Sequence, residues 1–275
     1  MKNYLEMIKE SADFISAKID FKPQMGLILG SGLGSLADEI ENPVKIKYED
    51  IPNFPVSTVE GHEGQLVLGT LNGKTVVGMQ GRFHFYEGYT MKEVTFPVRV
   101  MKAIGVEMII VTNACGGMNP DLYPGALMFI EDHINFTGDN PLMGPNYAEL
   151  GPRFPDMSTA YTPKYIELGK KVAAKLDIDT KQGVYASISG PNYFSAAELR
   201  MLRTVGGDTI GMSTVPEVIV ASHAGLDVLG ISCVTDMAVA DSLEPLEHEQ
   251  VVKIANEARP KFIKLMRGII EEVEL

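Results

Sequence analysis

Short apolar runs alternate with helix-period segments along almost the whole of this 275-residue chain, and no other feature constrains its fold so tightly. The runs Gly26–Gly30, Gln65–Thr70, Thr75–Gln80, Met108–Thr112, Ala126–Glu131, Gly183–Ser189 and Val228–Val234 read as strands. Several are rich in Val and Ile with little polar alternation, the pattern of strands covered on both faces. Asn72-Gly73 between two of them is a hairpin turn signal. At the N-terminus Leu5, Ile8, Ala12, Ile15 and Ile19 recur at helical gaps. Further helices are expected over Met91–Ile104, Pro163–Leu176, Ala196–Val205, Pro216–Ala224 and Val251–Leu275. Pro216 at a helix start and Gly225 just past its end follow the usual terminal asymmetry. Pro260 is expected to kink or split the last helix. Asn135–Tyr161, with Pro141, Pro145, Pro152 and Pro155, reads as a long irregular loop, and such loops tend to be functional. No repeat, low-complexity tract or linker interrupts the series. The expected class is α/β, in one domain over residues 1–275.

Composition narrows the partners. A net charge of -12 argues against a broad nucleic-acid surface and offers nothing to anionic lipid. An acidic chain still binds an anion wherever donors converge locally. No apolar run approaches the roughly 18 residues of a membrane-spanning helix. The first residues lack a signal-peptide core, so a cytoplasmic setting is expected. Cys115 and Cys233 form no Cys-x-x-Cys and have no nearby His at metal spacing, which predicts no structural zinc. In a reduced compartment a disulfide between them would be unusual.

Four glycine-containing segments carry chemistry. In Gly81–Gly88 an extended backbone would place Arg82, His84 and Tyr86 on one face, a guanidinium fork beside an imidazole and a phenol. Taken alone, the segment reads better as a half-buried edge strand with a solvated polar face. Gly30-Ser31-Gly32-Leu33-Gly34 follows the first strand and presents backbone N–H groups and a hydroxyl to an anion. A dinucleotide fingerprint would need glycine where Ser35 stands, which weakens an oxidoreductase reading. Thr112–Gly117 ends another buried strand, and Gly211–Glu217 leads into a helix. Ligands in α/β sheets bind at such strand ends. Ser213 by itself reads as a helix cap, Glu198 as a first-turn acid and Cys115 as a small buried filler.

Together these segments resemble the trimeric purine nucleoside phosphorylases and the related methylthioadenosine phosphorylases. Val59-Glu60-Gly61-His62, Asp132-His133-Ile134-Asn135, Asn140-Pro141-Leu142 and Arg153-Phe154-Pro155 add to the match, in family order over almost the whole chain. The resemblance implies a single domain with a central mixed β-sheet flanked by helices. It implies phosphorolysis, in which orthophosphate converts a purine nucleoside to free base and α-ribose 1-phosphate without metal or organic cofactor. Ser31, His62, Arg82, His84, the Ala114 backbone and Ser213 would surround phosphate. Tyr86 and Met212 would contact the ribose, and His248 its 5′-hydroxyl. Tyr193, Phe194 and Asp236 would meet the base, with Phe154 reaching across from an adjacent subunit of a homotrimer. Asp236 and His84 would be the catalytic groups.

The chain departs from the 6-oxopurine enzymes at the base. They read Gly-Pro-x-Phe/Tyr-Glu, whereas Gly190-Pro191-Asn192-Tyr193-Phe194 ends in a ring. They carry Asn where Asp236 follows Thr235, as it does in the methylthioadenosine enzymes. Adenine has no proton at N1, so an acceptor lost there costs it little, and a carboxyl at position 236 can serve a 6-amino group. The expectation is a shift toward 6-aminopurine nucleosides, ribose or deoxyribose. His248 favours a hydroxyl-bearing sugar over methylthioribose. A nicotinamide-dependent oxidoreductase and a non-catalytic nucleoside sensor remain as rivals, though a sensor has little use for Ser31, Arg82, His84 and Ser213 together.

Overall fold

A computed structural model of the chain describes residues 3–58, 63–242, 245 and 247–275, the side chain of residue 248 excepted. The strands are β1 Met25–Leu29, β2 Glu41–Lys47, β3 Gln65–Leu71, β4 Lys74–Gln80, β5 Met108–Gly117, β6 Leu127–Phe136, β7 Thr180–Ile188, β8 Thr209–Gly211 and β9 Asp227–Met237. They form one mixed sheet in the order β2-β3-β4-β1-β5-β8-β7-β6-β9. Because β9 pairs with β5 as well as β6, the strands β5, β8, β7, β6 and β9 close into a ring. At the centre β1 runs parallel to both β4 and β5, with every β1 residue buried. Its apolar run without polar alternation is thus covered on both faces.

The helices are α1 Tyr4–Ser16, α2 Met91–Val94, α3 Phe96–Ala103, α4 Pro163–Lys175, α5 Ala196–Thr204, α6 Val215–His223 and α7 His248–Glu272. Asn3 caps α1 in a capping box with Glu6, and Ile8, Ala12 and Ile15 form its buried stripe. Ile19 lies beyond the helix end. Ser195 and Glu198 form the same box at the start of α5, so Glu198 is indeed a first-turn acid.

Several local expectations are corrected. The segment 91–104 is two helices that meet at Thr95, because Pro97 has no N–H to give the carbonyl one turn back. Thr95 Oγ1 donates to the Met91 carbonyl at 2.7 Å across this break. Pro260 does not split α7, which continues to Glu272. A buried stripe of Ala255, Ala258, Phe262, Leu265, Met266 and Ile269 holds the helix in place despite the missing hydrogen bond. Two strands carry no apolar run that could announce them. β2 is a bulged edge strand with exposed Glu41, Lys45 and Lys47, and β8 is only three residues long. Asn72-Gly73 joins β3 to β4 as a hairpin, and β6 runs on into the 135–161 segment as far as Phe136.

Candidate active site

The carboxyl ends of β1, β4, β5, β8 and β9 converge on one cavity of about 320 Å³. Gly30 sits where β1 gives way to its turn. A Cβ there would meet Asn113 Cα at 2.7 Å, so only glycine lets the ends of β1 and β5 approach this closely. Thr112 stitches the two, its Oγ1 donating to the Ile28 carbonyl and accepting from Gly30 N, both at 3.1 Å. Ser31 and Ala114 thereby come to line the same wall.

Arg82 follows β4 and is only 2% exposed. Its Nε donates to Glu217 Oε1 at 3.0 Å, and its Nη1 to the Thr112 carbonyl at 2.6 Å and to Ser213 Oγ at 3.2 Å. Nη2 lies 2.8 Å from the same Glu217 oxygen, an ion-pair distance without hydrogen-bond geometry, so it is a buried donor with no acceptor. Ser213 is not the cap of α6. Thr214 takes that position with φ 76 and ψ -54, and its side chain makes no cap bond. A β-branched residue in that region carries roughly 1–3 kcal/mol of strain.

The expected extended run from Arg82 to Tyr86 ends at His84. Residues 85–87 form a 3-10 turn instead, and all three side chains still reach the cavity. The turn stacks the His84 and Tyr86 rings, with centroids 4.7 Å apart. Glu87 closes the turn, its Oε1 accepting from His84 N at 2.7 Å and lying 3.1 Å from Nδ1. Burial lowers the imidazole below its ordinary value, more than Glu87 raises it. Glu87 itself feels burial pushing upward, but hydrogen bonds from His84 and Thr58 hold its carboxyl at about 2.

The other end of the cavity is aromatic. Tyr193 is 41% exposed, and Phe194 sets its ring edge-on to it at 6.3 Å. Asp236, at the end of β9, faces them. Burial raises its carboxyl above the usual range, although Thr235 Oγ1 donates to Oδ1 at 2.9 Å and works against that. Met212 completes this part of the lining.

Ten of the expected positions therefore meet: Ser31, Arg82, His84, Tyr86, Ala114, Tyr193, Phe194, Met212, Ser213 and Asp236. Phe154 does not line this cavity and is 88% exposed. His62 lies outside the described residues. His248 begins α7, and its side chain lies outside them too. Sequence reasoning missed Val251 of α7 and Ile210 of β8 in the lining, and Glu217 and Glu87 as partners of Arg82 and His84. For Glu217 a signal existed, a lone acid in the apolar run of α6. Both cysteines are free and buried, and burial raises both thiols, which disfavours the thiolate a nucleophile would need.

A mixed sheet with covering helices, its strand ends gathering a buried guanidinium, hydroxyls and aromatic rings around one cavity, defines an α/β protein with a composite polar and aromatic pocket. The sequence model of the phosphorylase superfamily matches residues 24–271. Purine nucleoside phosphorylase 1 of Bacillus subtilis (strain 168) is 58% identical over 98% of this chain and 99% of its own. Two solved structures from Schistosoma mansoni superpose closely. Purine nucleoside phosphorylase isoform 2 with cytosine and ribose-1-phosphate has a TM-score of 0.95 and 43% identity, covering 98% of this chain and 97% of that one. The purine nucleoside phosphorylase with adenosine has a TM-score of 0.94 and 41% identity, covering 98% of each chain. The chain belongs to the purine nucleoside phosphorylase family of the phosphorylase superfamily.

Proposed function

We propose that this cavity performs phosphorolysis of purine nucleosides, giving free base and α-(deoxy)ribose 1-phosphate. One observation carries the reading. A buried guanidinium with an unanswered N–H, beside the Ser213 hydroxyl, shares a cavity with two aromatic rings and a carboxyl. The anion end fits orthophosphate, held by Arg82, Ser31, Ser213, His84 and the Ala114 backbone. Tyr86 and Met212 border the ribose. Tyr193 and Phe194 cover the base.

In the reaction a phosphate oxygen bonds to C1′ as the C1′–N9 bond breaks. The bonding electrons move into the purine, and N7 takes a proton from the neutral form of Asp236, the form that burial favours. Fixing both reactants in one cavity contributes up to about 7–11 kcal/mol toward the barrier. Phosphate beneath the ribose also balances its developing positive charge. A neutral Asp236 offers a donor and an acceptor side by side, which matches N7 and a 6-amino group. A 6-oxo group presents a second acceptor there. The base end thus favours 6-aminopurines.

The proposal extends to a cytoplasmic homotrimer in which Phe154 enters a neighbour's site. Phe136 and Met143, on the same stretch of chain, are 50% and 63% exposed, an apolar surface suited to burial against another copy. Base release from inosine, guanosine, adenosine and methylthioadenosine, with and without orthophosphate, tests the reading. Release that requires phosphate supports it; release without phosphate, or none from any nucleoside, overturns it.

A further inference from the structure

We infer that Glu217 is a positioning residue that sets the aim of the Arg82 guanidinium, and with it the affinity for phosphate. The inference rests on the phosphorolysis reading for the identity of the anion. The observation behind it is a mismatch of roles. Arg82 and Glu217 are 2% and 3% exposed, so neither charge is repaid by water. Glu217 uses one oxygen only, which touches both Nε and Nη2 of Arg82, while its Oε2 has no hydrogen-bond partner. A pair built for mutual stability would use both oxygens in parallel against the guanidinium fork.

The one-sided grip has a geometric effect. Glu217 fixes the Nε edge, and the Thr112 carbonyl and Ser213 hydroxyl fix Nη1. Three anchors from β5, α6 and the turn before α6 leave the guanidinium plane no freedom to rotate, with Nη2 still holding an unanswered donor. Glu217 stands in the first turn of α6, the helix that Ser213 and strained Thr214 lead into. Arginine aim and serine placement are therefore set by one rigid element.

Two substitutions separate aim from charge. Glu217→Gln keeps the reach and an accepting oxygen for Nε–H but removes the charge. Glu217→Asp keeps the charge but shortens the reach by a methylene. The readout is steady-state kinetics, varying phosphate and nucleoside separately. Positioning predicts that Glu217→Asp raises KM for phosphate about tenfold or more, the factor corresponding to about 1.4 kcal/mol. KM for nucleoside moves less than about twofold, and Glu217→Gln stays within about threefold of the parent for both. If Glu217→Gln loses phosphate affinity as severely as Glu217→Asp, charge and not aim is what counts, and the inference fails. It fails too if both variants keep parental phosphate KM, or if phosphate and nucleoside KM rise together. Should Glu217→Asp not fold, Glu217→Ala takes its place: a phosphate KM raised about tenfold beside a near-parental Glu217→Gln supports the inference, and a parental Glu217→Ala value, or an equal rise in both, overturns it. Parent enzyme without phosphate-dependent turnover would sink the phosphorolysis reading first, a result distinct from all of these.

Discussion

Asp236 concentrates the specificity question in one side chain. Its carboxyl is raised by burial, against the Thr235 hydrogen bond, so the neutral acid persists above the ordinary carboxyl value of about 3.9. If Asp236 serves N7 as proposed, its proton is lost as pH rises through the folded value, and kcat/KM for adenosine should fall along that limb. Asp236→Asn should lack the limb, lose adenosine turnover by about tenfold or more, and improve relatively on inosine. Full pH–rate profiles on both nucleosides check this; an unchanged adenosine-to-inosine ratio would show that Asp236 does not touch the base. Glu87 gives the opposite sign. Its carboxyl sits at about 2 against 4.5, so its stabilising contribution is complete above 4.5 and disappears as pH falls toward 2. Glu87→Gln should therefore unfold at lower urea than the parent near neutral pH, the gap narrowing across that acid window. Parallel urea curves at all pH values would refute it. At this scale the sequence displayed Arg82 and His84 because their types are rare together, while Asp236 was marked only by the family resemblance; all three line the cavity. Glu217 showed only as a lone acid in an apolar run and Glu87 not at all, because an acid's partner is set by tertiary approach over 135 positions in the first case and by a 3-10 turn in the second.

The elements explain why separate motifs meet. Parallel β1, β4 and β5 all point their carboxyl ends the same way, so the turns after them share one rim. Gly30→Ala attacks that rim directly, since its methyl would meet Asn113 Cα and, at 2.9 Å, the Thr112 carbonyl, backbone atoms that cannot swing aside. We expect a stability loss of about 1–3 kcal/mol and a raised KM for phosphate. Thermal melts with phosphate kinetics check it, and a parental melting curve would mean that the two strand ends can separate freely. The buried strands were legible because solvent-free faces demand unbroken apolar runs. β2 was not, since an edge strand guards itself with charge and a bulge, and β8 is too short for any period to register. Pro260 in α7 shows the reverse failure, a strong local signal overruled by a buried helix face.

Across the whole molecule, Phe154 is the feature that a single chain leaves unexplained. An aromatic ring 88% exposed makes sense where another copy covers it. Phe154→Ala should reduce turnover while leaving the melting of its own chain's core unchanged. Arg82→Gln should reduce turnover as well. Co-assembled, the two variants should regain activity, because an intact Arg82 cavity can then receive an intact Phe154 from its neighbour. Mixed preparations no more active than their separate components would argue against a shared site. The sequence placed Phe154 correctly on an irregular loop, but exposure can be seen only once the fold has left that ring uncovered. The proposed anion pocket, finally, draws its walls from residues 31, 82, 114 and 213, which are distant along the polymer and brought together only when β1, β4, β5 and β8 have joined one sheet. Orthophosphate alone should then act as a molecular staple. At a hundred times its dissociation constant it would deepen the native well by about 2.7 kcal/mol, shielding the cell's copy from proteases whenever the small ion is plentiful.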